Sequence, residues 1–220
     1  MTDAESFENV AQIASVHREI KADEGEVLLQ TNDLTVQFGG LTALDYLRDR
    51  VRLTPGATVL VNGASGAVGS SAVQIARHLG ADVTGVCSAG NGDLVTRLGA
   101  ERVVDHRTTS LDDLRARGDR YDVVLDAVGN VRAATGKPLL APGGWLLLIV
   151  AGLADLVTAR GPVRAGPASE STDLVADVLR LTADGVLDPL IESIHTLEGI
   201  VDAYRRIDTG HKVGNIVVRP

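Results

Sequence analysis

Val59-Leu60-Val61-Asn62-Gly63-Ala64-Ser65-Gly66-Ala67-Val68-Gly69 decides the reading of this chain. An apolar run, Thr58–Asn62, has strand length. Behind the glycines, Val68, Ala72, Ile75, Ala76 and Leu79 recur with helical period over Gly66–Leu79. Strand, glycine turn and helix in that order form a phosphate-binding loop. Gly63 permits the tight turn, Gly66 lets the backbone approach a pyrophosphate, and Gly69 lets the helix pack close to the sheet. Free N–H groups and the dipole at the helix start attract the anion. Ser65, Ala67 and Val68 lie between the glycines and share the candidate site. The same turn also occurs in sheets that bind no nucleotide, so its context carries the argument.

That context alternates strands with helices. Asp82–Cys87, Arg102–Asp105, Tyr121–Val128 and Trp145–Val150 read as further strands. Asn91–Leu98, Leu111–Arg117 and Val131–Leu140 read as the helices between them, and Pro142-Gly143-Gly144 as a turn. Strands apolar on both faces in β-α-β order predict an α/β fold with a doubly wound parallel Rossmann sheet. Upstream, Leu41–Val51 reads as a helix, Glu26–Thr31 as a strand, and residues 3–21 as a helix with Phe7, Val10, Ala14 and His17 on one face. Downstream come a helix, Thr172–Ala183, a strand, Ile191–Thr196, a helix, Leu197–Thr209, and a strand, Asn215–Arg219. The expected organisation is an N-terminal helix and strand over 1–39, the Rossmann domain over 40–189, and a C-terminal segment, 190–220, packed with the N-terminal part.

Bulk properties exclude several classes. The chain has 220 residues and a net charge of −8, which argues against sequence-independent nucleic-acid binding. Only 3% of residues are aromatic, so Val, Leu, Ile and Ala build the core. Cys87 is the one cysteine and has no disulfide partner in the chain. Residues 1–10 show no apolar signal segment and no run has membrane-spanning length, so a cytoplasmic protein without a membrane partner is expected. No His/Cys spacing fits a zinc site, and no metal is expected. Ser65 stands at a strand-to-helix turn, but the residue two beyond it is Ala67, which breaks the nucleophile-elbow spacing.

Cofactor choice is read after the second strand. A dinucleotide site for NAD usually places an acid there to hold the ribose 2′-hydroxyl. Here the sequence is Val86-Cys87-Ser88-Ala89-Gly90-Asn91. Ser88 and Asn91 can donate to a 2′-phosphate, and His106 and Arg107 can add positive charge, so NADP(H) is favoured over NAD(H). Each also reads as an ordinary loop or strand-end residue.

Separated pieces agree with one family. Gly40-Leu-Thr-Ala-Leu44, Pro55-Gly56, Val61–Gly69, Gln74 and Leu98-Gly-Ala100 come first. Tyr121–Asp126 with Val128-Gly129, Pro142-Gly-Gly144, Gly210-His211 and Gly214–Pro220 follow in order. Over roughly residues 30–220 the chain resembles the zinc-free, quinone oxidoreductase-like branch of the medium-chain dehydrogenases/reductases. The resemblance implies a Rossmann domain joined to a barrel-like substrate domain, and reduction of quinones, enones or enoyl thioesters with NADPH. It places Thr42, Val128, Gly129, Val150 and Gly152 at the nicotinamide end, Asn130 at the ribose, and Asn215 where the family's last strand often carries lysine. The family's basic 2′-phosphate clamp falls near Gly90 or Gly92. About 40 residues precede the Gly-x-Thr-Ala helix, so most of the substrate domain is expected to be missing. Tyr46, His17 and His195 carry groups suited to proton donation, and no spacing selects among them. Three functions stay open: reduction of a small conjugated carbonyl or quinone, a non-redox tailoring reaction such as cyclisation or isomerisation on the same fold, and a nucleotide-binding assembly subunit. A homodimer joined near the Trp145–Leu153 edge is expected.

Overall fold

Short apolar runs alternate with amphipathic helices from residue 58 onward, and in the computed structural model they stack into one parallel sheet with helices on both faces. The structure describes residues 38–152, 159–169 and 171–219. The helix expected over residues 3–21 and the strand expected over Glu26–Thr31 lie outside the described residues.

The first described element is α1, Phe38–Leu44, which continues as a π-helical turn over Asp45–Arg50. Then come β1 Thr58–Asn62, α2 Ala67–His78, β2 Asp82–Cys87, α3 Gly92–Leu98 and β3 Arg102–Asp105. They are followed by α4 Leu111–Ala116, β4 Tyr121–Asp126, α5 Ala133–Gly136, β5 Leu140–Leu148 and β6 Val163–Ala165. The chain continues through α6 Thr172–Ala183, β7 Ile191–Thr196, α7 Ile200–Asp208 and β8 Asn215–Arg219. Strands β1 to β6 are parallel in the order β3-β2-β1-β4-β5-β6, and β7 pairs with β8 in a separate two-stranded parallel sheet. The first order is that of a dinucleotide-binding Rossmann sheet.

Two cores follow from that layering. On one face Leu44 and Leu47 from the first helix, Ile75 from α2, Val95 from α3 and Leu174 and Val178 from α6 pack on Val59, Val61, Val123 and Leu125. On the other, Leu114 of α4 and Leu139 pack on Leu60, Val124, Leu146 and Leu148. The π turn has a local cause. Residues five apart share a face there, and Arg50 Nε donates to Asp45 Oδ2 at 2.8 Å while its guanidinium stacks over the Tyr46 ring. Among the described residues no helix is long and apolar enough to cross a membrane.

Several boundaries differ from the sequence reading: the helix read over Leu41–Val51 starts at Phe38, that over Leu197–Thr209 starts at Ile200, and the strand read to Val150 ends at Leu148. β4 stops at Asp126 instead of Val128, because the Asp126 carboxylate takes the next backbone N–H groups and turns the chain. The helix expected over Val131–Leu140 shortens to α5 and a 3₁₀ turn, Lys137–Leu139, at Pro138, which lacks an N–H for a helical ladder. β5 begins at Leu140 and draws in Pro142-Gly143-Gly144, with a register shift between Tyr121 and Val123. Gly144 allows this approach, since a Cβ there would stand 2.9 Å from the Tyr121 and Asp122 carbonyl oxygens.

Candidate functional site

Parallel sheets collect their ligands at the carboxyl ends of the strands, where the strand order reverses. Here that point lies between β1 and β4, whose last residues, Asn62 and Asp126, are register partners. Both are buried. Asn62 Nδ2 donates to Asp126 Oδ1 at 2.8 Å and to Asn130 Oδ1 at 2.7 Å. Asp126 also accepts from the N–H groups of Val128, Gly129 and Val131. One buried carboxylate therefore shapes the whole loop that carries Val128, Gly129 and Asn130.

The glycine turn stands beside it. Gly63 has a positive φ of 84°, and its N–H and that of Ala64 donate to the Val86 carbonyl, tying the turn to β2. A Cβ on Gly69 would stand 2.0 Å from the Gly63 carbonyl oxygen, so the helix approaches the turn as closely as only glycine allows. Gly66 differs from both. Its φ is −79°, and a Cβ there would meet the Gly63 oxygen at an ordinary 3.4 Å. Among the described residues neither its backbone angle nor its neighbours require glycine at 66. As N-cap it offers no side chain to the start of α2, and the bridge to Gly214 turns the Ala67 N–H toward the Gly214 carbonyl. A helix start behind a glycine turn, with no Cβ at residue 66, fits a pyrophosphate.

The residues expected to face an adenosine come from three loops. Asn91 Nδ2 donates to Ser65 Oγ at 3.1 Å, and Ser88 Oγ lies 3.2 Å from His106 Nε2. Ser65, Ser88, Asn91 and His106 thus line the ends of β1, β2 and β3. Arg107 is exposed beside His106. Gly90 has no atom within 4 Å of a built Cβ. Cys87 ends β2 buried, and that burial, with the Asp105 carboxylate, pushes its thiol up and away from thiolate chemistry.

At the other end Val128 and Val150 are 51% and 55% exposed, an apolar pair open to solvent at the ends of β4 and β5. Gly129, at φ 88°, sits between them, where a Cβ would stand 2.9 Å from Val150 Cγ1. Asn130 is exposed with its Oδ1 held by Asn62. Thr42 is half-buried on α1, and Gly152 follows Val150 in the loop. Tyr46 is wholly buried and donates its hydroxyl to the Gly166 carbonyl, so it is a core residue. His195 sits on β7 against Ser193, and His17 lies outside the described residues. Asn215 is fixed by its own contacts, its Nδ2 donating to the Pro189 carbonyl. Its neighbour Gly214 reaches the site: the Gly214 N–H donates to the Ser65 carbonyl at 2.9 Å, and Gly66 and Gly214 form a parallel bridge.

Asn62, Asp126 and Gly214 were members of sequence motifs without an assigned role. The signal for the first two was a polar residue ending an apolar strand. A cavity of about 580 Å³ lies at the opposite ends of β4 and β5, lined by Arg120, Lys137, Pro142 and Trp145, away from these groups. Among the described residues no three His, Cys, Asp or Glu side chains come together as a metal site.

A family model described as zinc-binding dehydrogenase matches residues 98–218. The chain is 30% identical over 198 residues to a chloroplast envelope quinone oxidoreductase homolog of Arabidopsis thaliana, covering 82% of this chain and 59% of that protein. Among solved structures it superposes on the quinone oxidoreductase from Coxiella burnetii with a TM-score of 0.75 at 24% identity, covering 91% of this chain and 63% of the other. It also superposes on the CurF ER cyclopropanase from the curacin A biosynthetic pathway, with a TM-score of 0.66 at 25% identity, over 83% of this chain and 59% of that one. The chain spans about three-fifths of the length of each of these proteins.

Proposed function

Since this chain belongs to the zinc-binding dehydrogenase family, as a quinone oxidoreductase-like member of the medium-chain dehydrogenase/reductase superfamily, we propose that it is an NAD(P)H-dependent oxidoreductase reducing a small quinone, enone or related conjugated carbonyl. The observation that carries the reading is Gly66, a glycine that neither its backbone angle nor the described atoms around it require, placed at the start of α2 with no side-chain cap.

In this reading the 63–69 turn holds the pyrophosphate. Asn130 takes the nicotinamide ribose. Val128, Gly129 and Val150 give the nicotinamide ring an apolar wall, with Thr42 and Gly152 at its margin. Ser88, Asn91 and His106 face the adenosine ribose, and the absence of an acid at Ser88 favours NADP(H) over NAD(H). The bound nicotinamide supplies the hydride; the protein orients it and excludes water from one face. A homodimer joined through the β6 edge agrees with an edge strand left unpaired among the described residues, and light scattering at micromolar concentration reads it.

The test is titration of NADPH by fluorescence against the wild type and Gly66→Asp, followed by NADPH oxidation with a panel of quinones and enones. Binding lost in the variant and turnover in the wild type support the reading. Equal binding by both proteins overturns the site. The likeness to the cyclopropanase favours a second reading, ring formation in the same cleft. Nucleotide binding without NADPH oxidation on any acceptor would point to it.

A further inference from the structure

The cavity of about 580 Å³ opens at the amino ends of β4, β5 and β6, at the far end of the sheet from the glycine turn. Its volume is that of a small-molecule cleft. Leu140, Pro142, Trp145 and Pro162 give it apolar walls. Gly143 and Gly161 line it with bare backbone at positive φ, and open space stands where a Cβ on either would be. The indole is held in place. The Arg164 guanidinium stacks over the Trp145 ring at 4.1 Å and is itself anchored by the Gly161 and Val163 carbonyls.

The polar part of the lining is cationic. Arg120 and Lys137 belong to it, and no Asp or Glu does. The acids on either side of Arg120 in the chain are engaged elsewhere. Asp119 Oδ2 accepts from Arg102 at 3.0 Å, and Asp122 Oδ2 accepts from the N–H and hydroxyl of Thr58. Arg120 bonds through Nη1 alone, to the carbonyls of Arg115 and Asp119, so among the described residues its Nε and Nη2 have no partner. Lys137 is exposed and has neither a hydrogen bond nor an ion pair among the described residues. Two cations without carboxylates therefore stand at an apolar cleft in a protein of net charge −8. An apolar body with a few convergent charges is the make-up of an organic-ligand site, and the free N–H groups of a guanidinium suit a carboxylate.

We propose that this cavity binds a small aromatic carboxylate, its ring against Trp145 and the prolines and its carboxylate at Arg120 and Lys137. The proposal is independent of the nucleotide reading and its failure leaves that reading untouched. Trp145 is the only tryptophan of the chain, so a single indole N–H signal in a proton–nitrogen NMR spectrum of the full chain reports on the cavity. The probes are para-toluate and its neutral counterpart, para-toluamide. A saturable shift of the indole signal with para-toluate is expected, with the amide about tenfold weaker, the scale of one charge-assisted contact. Arg120→Glu with Lys137→Glu should weaken para-toluate by at least as much and leave the amide as in the wild type. No shift, equal affinity for acid and amide, or wild-type affinity for the acid in the double variant overturns the proposal. The comparison of acid with amide uses the wild type alone, so it decides even where the double variant folds poorly.

Discussion

Asn62 and Asp126 end neighbouring parallel strands, and the amide of the first donates to the carboxylate of the second at 2.8 Å in the interior of the protein. The pair sits where the strand order reverses, and it holds both the glycine turn's strand and the loop of Val128–Asn130.

Replacing Asp126 removes the acceptor of three backbone N–H groups and of Asn62. Asp126→Ala is expected to cost about 3 kcal/mol, since buried donors left without partners carry most of the penalty. Asp126→Asn keeps an oxygen acceptor and should cost about half of that. Urea denaturation of the two variants measures the difference. Equal stability of wild type and Asp126→Ala would show that the loop does not depend on this carboxylate.

Gly66 and Gly69 should separate binding from folding. Gly66→Ala meets only an ordinary contact, so its denaturation midpoint should stay within about 0.5 kcal/mol of wild type, as for substitutions outside packed features. Its NADPH affinity should fall because the methyl group occupies the phosphate space. Gly69→Ala puts a Cβ against the Gly63 carbonyl oxygen and should lose several kcal/mol of stability, as overpacking does. A midpoint for Gly69→Ala equal to that of Gly66→Ala contradicts the packing account.

Gly90 stands open near Ser88 and His106 and its φ is not positive. Gly90→Arg should place a guanidinium in reach of a 2′-phosphate and raise the preference for NADPH over NADH about tenfold, the scale of one charge-assisted contact. Paired titrations with the two nucleotides read it. An unchanged ratio places the adenosine ribose elsewhere.

The C-terminal unit has an acid-sensitive tie. Arg206 holds the Glu192 carboxyl below its ordinary value of 4.5, and the Val213 N–H adds to it. A carboxyl whose value is lowered on folding binds its proton less readily in the native state. Its stabilisation is therefore complete above pH 4.5 and fades as pH falls below that. Because the pair is partly exposed, the contribution is under about 1 kcal/mol. The midpoint difference between wild type and Glu192→Gln should shrink from pH 7 to pH 3.5. A constant difference would mean that the ion pair does not contribute.

Much of the fold was legible because its signals are local. Thr58–Asn62, Asp82–Cys87 and Arg102–Asp105 are short runs that each carry valine, and each forms the strand read from it. The glycines of the turn announce themselves by spacing. What sequence hid depends on partners distant in the chain. Pro142-Gly143-Gly144 reads as a turn until Tyr121 and Asp122 offer their carbonyls to it. Asp126 reads as a strand end until the sheet brings Asn62 beside it. Tyr46 reads as a candidate acid until the Gly166 carbonyl, 120 residues on, accepts a hydrogen bond from its buried hydroxyl. The meeting of Ser88 with His106 needed β2 and β3 to be neighbours, which topology alone supplies.

The hydrogen bond from Gly214 to the Ser65 carbonyl ties the glycine turn to the chain's C-terminal strand, so a change in one is expected to be felt in the other. A ligand that stiffens the loop also raises the occupancy of the docked tail. By reciprocity, anything that prises the tail away weakens that ligand by the same factor. If a nucleotide binds at the proposed turn, protease resistance beyond Leu190 is expected to rise with its binding.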